Sequence, residues 1–180
     1  MDETNIKRAL TRISYEIVEN SQNIENVVLL GIHTRGIPMA ERISYLIETR
    51  AAKFVEAQEV KVPVGKLDIS FYRDDVTRLS EAPEINGTDV PFDVNGKDVV
   101  IVDDVLYTGR TARAALDATF SLGRPRTIRL AILIDRGHRE LPIRADFVGK
   151  NVPTSTRELV RVHFNETDGR EDVELYEKEI

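Results

Sequence analysis

The sequence contains no cysteine, which excludes disulfides and thiolate metal sites. Its three histidines, scattered at positions 33, 138 and 163, offer no spacing suited to zinc. Any metal involved is therefore expected to be a hard ion carried by a phosphorylated ligand. No run of about twenty apolar residues occurs, so no membrane-spanning helix is expected. The opening Met1-Asp2-Glu3-Thr4-Asn5 is acidic and polar, unlike a secretory signal peptide, and a cytoplasmic location is the expectation. Positive charge is also in deficit. With 25 Lys and Arg against 31 Asp and Glu, the net charge of −6 argues against a globally basic nucleic-acid binder but leaves room for a local patch. What the 180 residues do have, at 41% hydrophobic, is enough apolar material for one core, and a single domain over 1–180 is the expectation.

Ile6, Ala9, Leu10, Ile13 and Ile17 recur at helical spacing, with Thr4 as the expected N-cap and Lys7, Arg8, Thr11 and Arg12 on the opposite face. Val27 to Ile32 is a continuous apolar run of strand length, followed by the polar turn His33-Thr34-Arg35-Gly36 and a helix beginning near Pro38. Val60 to Ile69 alternates with β-branched residues and reads as a strand, whereas Asp74 to Gly96, polar and broken by Pro83, Gly87 and Pro91, reads as a long loop. Asp98 to Val102 is a second buried-type strand, Arg110 to Leu122 a helix stopped by Gly123, and Arg126 to Ile134 a further strand. Shorter segments at 145–149, 159–164 and 173–176 would extend or cover the sheet. Strands alternating with helices predict an α/β fold with a mostly parallel central sheet flanked by helices.

The chemistry concentrates after the second apolar strand. Asp103 and Asp104 stand at its carboxyl end, where ligands bind in open α/β sheets, and two adjacent carboxylates suit two vicinal hydroxyls. Leu106 to Thr111 then supplies a glycine for close backbone approach, two threonine hydroxyls and the amides of a helix start, which together make an anion cradle. The plain alternative is that the two acids only end a strand and Thr108 or Thr111 caps the next helix. Thr34-Arg35-Gly36 follows the first strand on the same side of the sheet, so an arginine beside a flexible glycine could approach a second anion.

The ordered array of four apolar residues, two acids and Thr108-Gly109-Arg110-Thr111 resembles the phosphoribosyl pyrophosphate signature of type I phosphoribosyltransferases. That resemblance implies the type I phosphoribosyltransferase fold, with a small hood formed mainly by about 135–155. It places Asp103 and Asp104 on the ribose 2- and 3-hydroxyls and Tyr107, Thr108, Gly109, Arg110 and Thr111 on the 5-phosphate. Thr34, Arg35 and Gly36 would take the pyrophosphate. Asp104 would also assist proton transfer or stabilise the developing oxocarbenium charge, and Arg73, in Tyr72-Arg73-Asp74-Asp75, would close over the leaving group.

The segments Arg8 to Ile13, Asp68 to Asp75 and Leu133 to Ser155 extend the likeness over nearly the whole chain. They are similar to the bacterial pyrimidine operon attenuation regulators that are also uracil phosphoribosyltransferases. This implies conversion of uracil and magnesium-bound phosphoribosyl pyrophosphate to UMP and pyrophosphate. Phe147 would stack on the base, with Val148 and the Asp135-Arg136 turn on its polar edge. It also implies binding of a pyrimidine operon leader mRNA, controlled by UMP or UTP and leading to transcription attenuation. The implied contacts are Thr11, Arg12, Arg136, Arg139, Arg144 and Lys150. The family further suggests a homodimer or higher assembly and magnesium held through the substrate rather than directly by protein. The alternatives are a salvage phosphoribosyltransferase with no RNA-binding role and a regulator that has lost turnover.

Overall fold

A computed structural model describes residues 1–50, 53, 60–72 and 87–177 of the chain. It opens with helix α1 (Glu3–Glu19), which buries Ile6, Ala9, Leu10, Ile13 and Ile17 along one stripe. The N-cap is Asp2 rather than Thr4: the Asp2 carboxylate accepts from the Asn5 amide at 2.8 Å. The earlier start has a tertiary cause. Met1 exchanges hydrogen bonds with Val173, its amine donating at 2.7 Å and its carbonyl accepting at 2.9 Å, which fixes the chain just ahead of the helix.

The strands β1 (Val27–Ile32), β2 (Val64–Leu67), β3 (Asp98–Leu106), β4 (Thr127–Asp135) and β5 (Phe147–Asn151) form one parallel sheet in the order β2-β1-β3-β4-β5. Because both faces are covered, the central strands read as unbroken apolar runs. Val27, Leu29, Val100, Val102, Ala131 and Leu133 pack beneath α1 and helix α2 (Gly36–Thr49). Val28, Leu30, Ile32, Val99, Ile101 and Ile132 pack beneath helix α3 (Arg110–Leu122) on the other face. β2 is shorter than the alternation at 60–69 suggests. Pro63 has no amide to donate, so the ladder with β1 begins only after it, although its carbonyl still accepts from Leu29 at 2.9 Å.

The strand order sets the position of the site. From β1 the chain steps outward to β2, then crosses back to β3, so the connections leaving β1 and β3 diverge onto opposite faces and leave a crevice between the two strand ends. The registers sharpen this. β3 pairs with β1 only as far as Val102, opposite Gly31, but with β4 as far as Leu106, opposite Asp135. Asp103 and Asp104 therefore lie within the strand, at the point where it loses one neighbour, and not beyond its end.

A second, two-stranded antiparallel sheet of β6 (Glu158–His163) and β7 (Asp172–Glu177), joined through the short helix α4 (Asn165–Asp168), forms a separate ribbon. Of the segment 135–155 that the resemblance assigns to a hood, residues 147–151 are the fifth strand of the main sheet. The ribbon is fixed to α2 by Arg42, whose guanidinium binds Glu166 at 2.8 Å and Glu171 at 2.6 and 2.7 Å and lies 5.1 Å over the Phe164 ring. Val162 and Phe164 join the core beneath α1 and α2, so the ribbon is held by apolar burial as well as by charge.

Gly36 matters here for packing more than for mobility. A Cβ at this position would lie 2.3 Å from the Val102 carbonyl oxygen, because the start of α2 abuts β3 directly. Gly36→Ala must push the helix off the strand and is expected to cost about 3 kcal/mol, read as a fall in the urea midpoint with unchanged slope.

Candidate active site

Asp103 is buried at 9% exposure, and one of its oxygens accepts the Asp104 amide at 2.9 Å; Asp104 in turn accepts the Val105 amide at 2.9 Å. The two side chains thus fold back onto the backbone where β3 loses its β1 neighbour. Burial raises the Asp104 carboxyl above the usual aspartate range, opposed by a hydrogen bond with Asp103 and by the positive charge of Arg35. A carboxyl group shifted in this way, in a crevice at strand ends, marks a working site more often than a packing one.

Immediately downstream, Gly109 adopts φ +93°, a left-handed conformation that lets the loop turn into α3 without a side-chain cap. The first amides of a helix lack partners within it and point at whatever occupies the turn, which is the anion-binding geometry. The loop is braced from behind by residues 136–143. The Thr108 carbonyl accepts from the amides of Glu140 and Leu141 at 2.9 and 3.1 Å, and the Tyr107 carbonyl accepts from Arg139 at 2.7 Å. The Arg136 guanidinium lies 4.0 Å over the Tyr107 ring, and Arg110 pairs with Glu140 at 2.7 Å. Thr108 and Thr111 are partly exposed at the mouth of the loop.

From the β1 side, Thr34 is exposed, with its hydroxyl 3.0 Å from His33 Nδ1. Arg35 is bound in a fork by Asp168, Nε at 3.1 Å and one terminal nitrogen at 2.6 Å. Asp168 was not indicated by the sequence: it lies 133 residues from Arg35, on the ribbon, with no local pattern to mark it. The same holds for Arg42 and its partner Glu171. Arg73 lies outside the described residues.

Several other residues serve differently from expectation. Phe147 is 3% exposed and packs in the core beneath α1 and α2, because its strand faces the sheet's interior there; it is not a platform for a base. The Val148 carbonyl accepts from Arg12 at 3.1 Å, and the Gly149 carbonyl from the same nitrogen at 2.5 Å. Arg136 is 4% exposed and donates to Thr154 Oγ1 and the Glu158 carbonyl, so it braces the β6 end and offers no surface charge. Arg139 is similarly turned inward, bound to Asp135 at 2.5 Å and to the carbonyls of Tyr107, Gly137 and Ile143. Asp135 also accepts the Gly137 amide at 3.0 Å, which closes the turn after β4. Thr11 is half-buried, with its hydroxyl on the Lys7 carbonyl, while Arg144 and Lys150 are exposed. A pocket of about 460 Å³ brings Arg8 and Arg12 of α1 beside Gly149 and Lys150 of β5. No helix among the described residues is long and apolar enough to cross a membrane.

The raised Asp104 carboxyl makes a signed prediction. Asn keeps the oxygen that accepts the Val105 amide but removes the charge, so Asp104→Asn should melt at a higher temperature than wild type at neutral pH. A group whose folded pKa is raised binds its proton more readily folded than unfolded. Wild type therefore regains stability as pH falls through that raised value, and the variant's lead should shrink toward the ordinary aspartate range near about 4, as read from melting curves across pH.

Residues 2–166 match the family model of the phosphoribosyl transferase domain. Curated relatives called bifunctional protein PyrR include that of Thermus aquaticus, 58% identical over 99% of this chain and 95% of its own length. Another, from Clostridium perfringens, is 54% identical over 98% of this chain and 96% of its own. Among solved structures, the hypoxanthine phosphoribosyltransferase of Trypanosoma cruzi superposes with a TM-score of 0.70 at 19% identity, covering 99% of this chain and 95% of that one, which shows a shared fold. The divergence of the β1 and β3 connections, the paired acids and the Gly109 turn thus occur in a chain that belongs to the phosphoribosyltransferase family and, within it, to the PyrR group.

Proposed function

We propose that the chain is a bifunctional protein: a uracil phosphoribosyltransferase and an RNA-binding regulator of pyrimidine biosynthesis operons. The observation that carries the first half is the adjacency of two inward-held carboxylates to a left-handed glycine turn at a helix start, with an arginine entering from the neighbouring strand end. That arrangement suits a phosphorylated sugar with vicinal hydroxyls better than any other small ligand. The name carried by the relatives, bifunctional protein PyrR, supports two roles in one chain.

In this reading Asp103 and Asp104 hold the ribose hydroxyls and residues 107–111 the 5-phosphate, while Thr34, Arg35, Gly36 and Arg73 attend the pyrophosphate. N1 of uracil attacks C1 of the sugar, the bond from C1 to the pyrophosphate oxygen breaks, and UMP and pyrophosphate result. Asp104 faces the positive charge that develops on the ring, so catalysis rests on positioning and electrostatics. The hard carboxylate oxygens of Asp103 and Asp104 would suit the neighbourhood of a magnesium ion carried by the substrate, which would supply positive charge to the leaving pyrophosphate. Asp135 and Arg136 frame the base side through the turn that braces Tyr107, and the hood comprises the 136–146 segment together with the β6–β7 ribbon.

RNA meets the α1 and β5 face, where Arg8, Arg12 and Lys150 gather with Thr11 on the same helix; Arg144 offers a further exposed cation across the sheet, beside Ala112 and Leu116 of α3, while Arg136 and Arg139 act indirectly, by bracing the loop after β3 and the turn after β4. Uridine nucleotides at the crevice and leader RNA at this face favour each other's binding, which produces transcription attenuation. The protein acts in the cytoplasm as a homodimer or larger assembly.

Turnover of uracil and phosphoribosyl pyrophosphate should fall about a hundredfold or more in Asp104→Asn. In gel shifts with the cognate leader stem-loop, UMP should tighten binding, and Arg144→Ala combined with Lys150→Ala should abolish it. Turnover with no binding above a scrambled RNA would reduce the protein to a salvage enzyme, and RNA binding with no turnover would make it a regulator alone.

A further inference from the structure

We propose that Asp168, on the ribbon, is a positioning residue that holds the Arg35 guanidinium aimed at the pyrophosphate end of the crevice; this rests on the phosphoribosyl-transfer reading. Arg35 stands at the N-cap of α2, and a long arginine side chain at such a turn loses considerable rotational freedom when a ligand orders it. Here the ordering is done in advance. Asp168 grips Nε at 3.1 Å and Nη2 at 2.6 Å, the two donors on one edge of the guanidinium. The planar fork has five N–H groups, so the opposite edge, with Nη1, remains for a second acceptor.

The clamp is itself held. The Asp168 carboxylate accepts the Phe164 amide at 3.0 Å and the Thr167 hydroxyl at 2.7 Å, which fix its orientation independently of Arg35. The side chain is only 16% exposed, against 37% for Arg35, so the acid is the fixed partner and the arginine the one being placed. The ribbon that carries Asp168 is fastened to the same helix by Arg42, seven residues on, through Glu166 and Glu171. The distance between α2 and Asp168 is therefore set without the Arg35 contact. The positive charge of Arg35 also opposes the burial-driven rise of the Asp104 carboxyl, so the clamped guanidinium acts electrostatically on the acids of β3.

The test is Asp168→Asn in the full chain. Its remaining oxygen can still accept from Phe164 and Thr167, while the amide NH₂ turned to Arg35 removes the fork. KM for phosphoribosyl pyrophosphate, and Kd for magnesium pyrophosphate by calorimetry, should each rise about tenfold, with KM for uracil and saturated kcat within about twofold. In an Arg35→Lys background, where no fork can form, the same substitution should have no further effect on either constant. Unchanged or tighter pyrophosphate binding in Asp168→Asn, or equal effects in both backgrounds, overturns the assignment. If that variant does not fold, Thr167→Val, which removes one brace from the carboxylate, should shift both constants the same way by a smaller factor; no shift overturns the assignment. A wild type with neither turnover nor pyrophosphate binding removes the phosphoribosyl-transfer reading itself, whereas failure of the Asp168 assignment alone leaves wild type active.

Discussion

Past Val102, β3 has a hydrogen-bonded neighbour on one side only, and most of the site depends on that asymmetry. While β1 lasts, each of Val99 to Val102 is committed to the sheet and to one of the two apolar layers. Once β1 turns away at Ile32, the same strand continues for four more residues supported by β4 alone, so its open side faces the crevice with its geometry still controlled by a ladder. Asp103 and Asp104 occupy the first two of these positions, and the turn at Gly109 follows three residues after the run ends at Leu106. Sites built on a supported strand are held more closely than sites on loops. The direct seating of α2 on the Val102 carbonyl brings Arg35 to the same place from the other side.

Elements buried on both faces were legible in the sequence because burial on both faces removes alternation. Val27 to Ile32 and the apolar stretch before Asp103 read as strands from composition alone, and α3 is bounded as its flanking glycines indicate. The errors have different origins, one distant along the chain and one local. Asp2 displaces Thr4 as the cap of α1 because Met1 is tied to Val173, and β2 starts late because Pro63 cannot donate. Phe147 shows that one aromatic in a short strand does not reveal which face it presents.

Arginines were the least legible residues. Arg136 and Arg139 look like surface cations in a polar segment, yet most of their bonds are to main-chain carbonyls, several of them in other segments. A guanidinium can neutralise an anion or tie together loop carbonyls with the same donors, and only the fold decides which. Arg35 and Arg42 are held by acids more than 120 residues away, and nothing near either partner in sequence marks the pairing. The acidic excess of the chain thus has a partly structural use, since some of it fastens the ribbon to α2.

Arg12 carries the same ambiguity to the border of the sheet. β5 is the last strand, and a strand with nothing beyond it offers unpaired main-chain groups to any extended segment that drifts alongside. By taking the carbonyls of Val148 and Gly149, Arg12 covers part of that border with a cation from α1. Charge at such a border disfavours strand-by-strand growth into aggregates, so a residue considered for what it attracts also keeps copies of the protein from adding to one another's sheets.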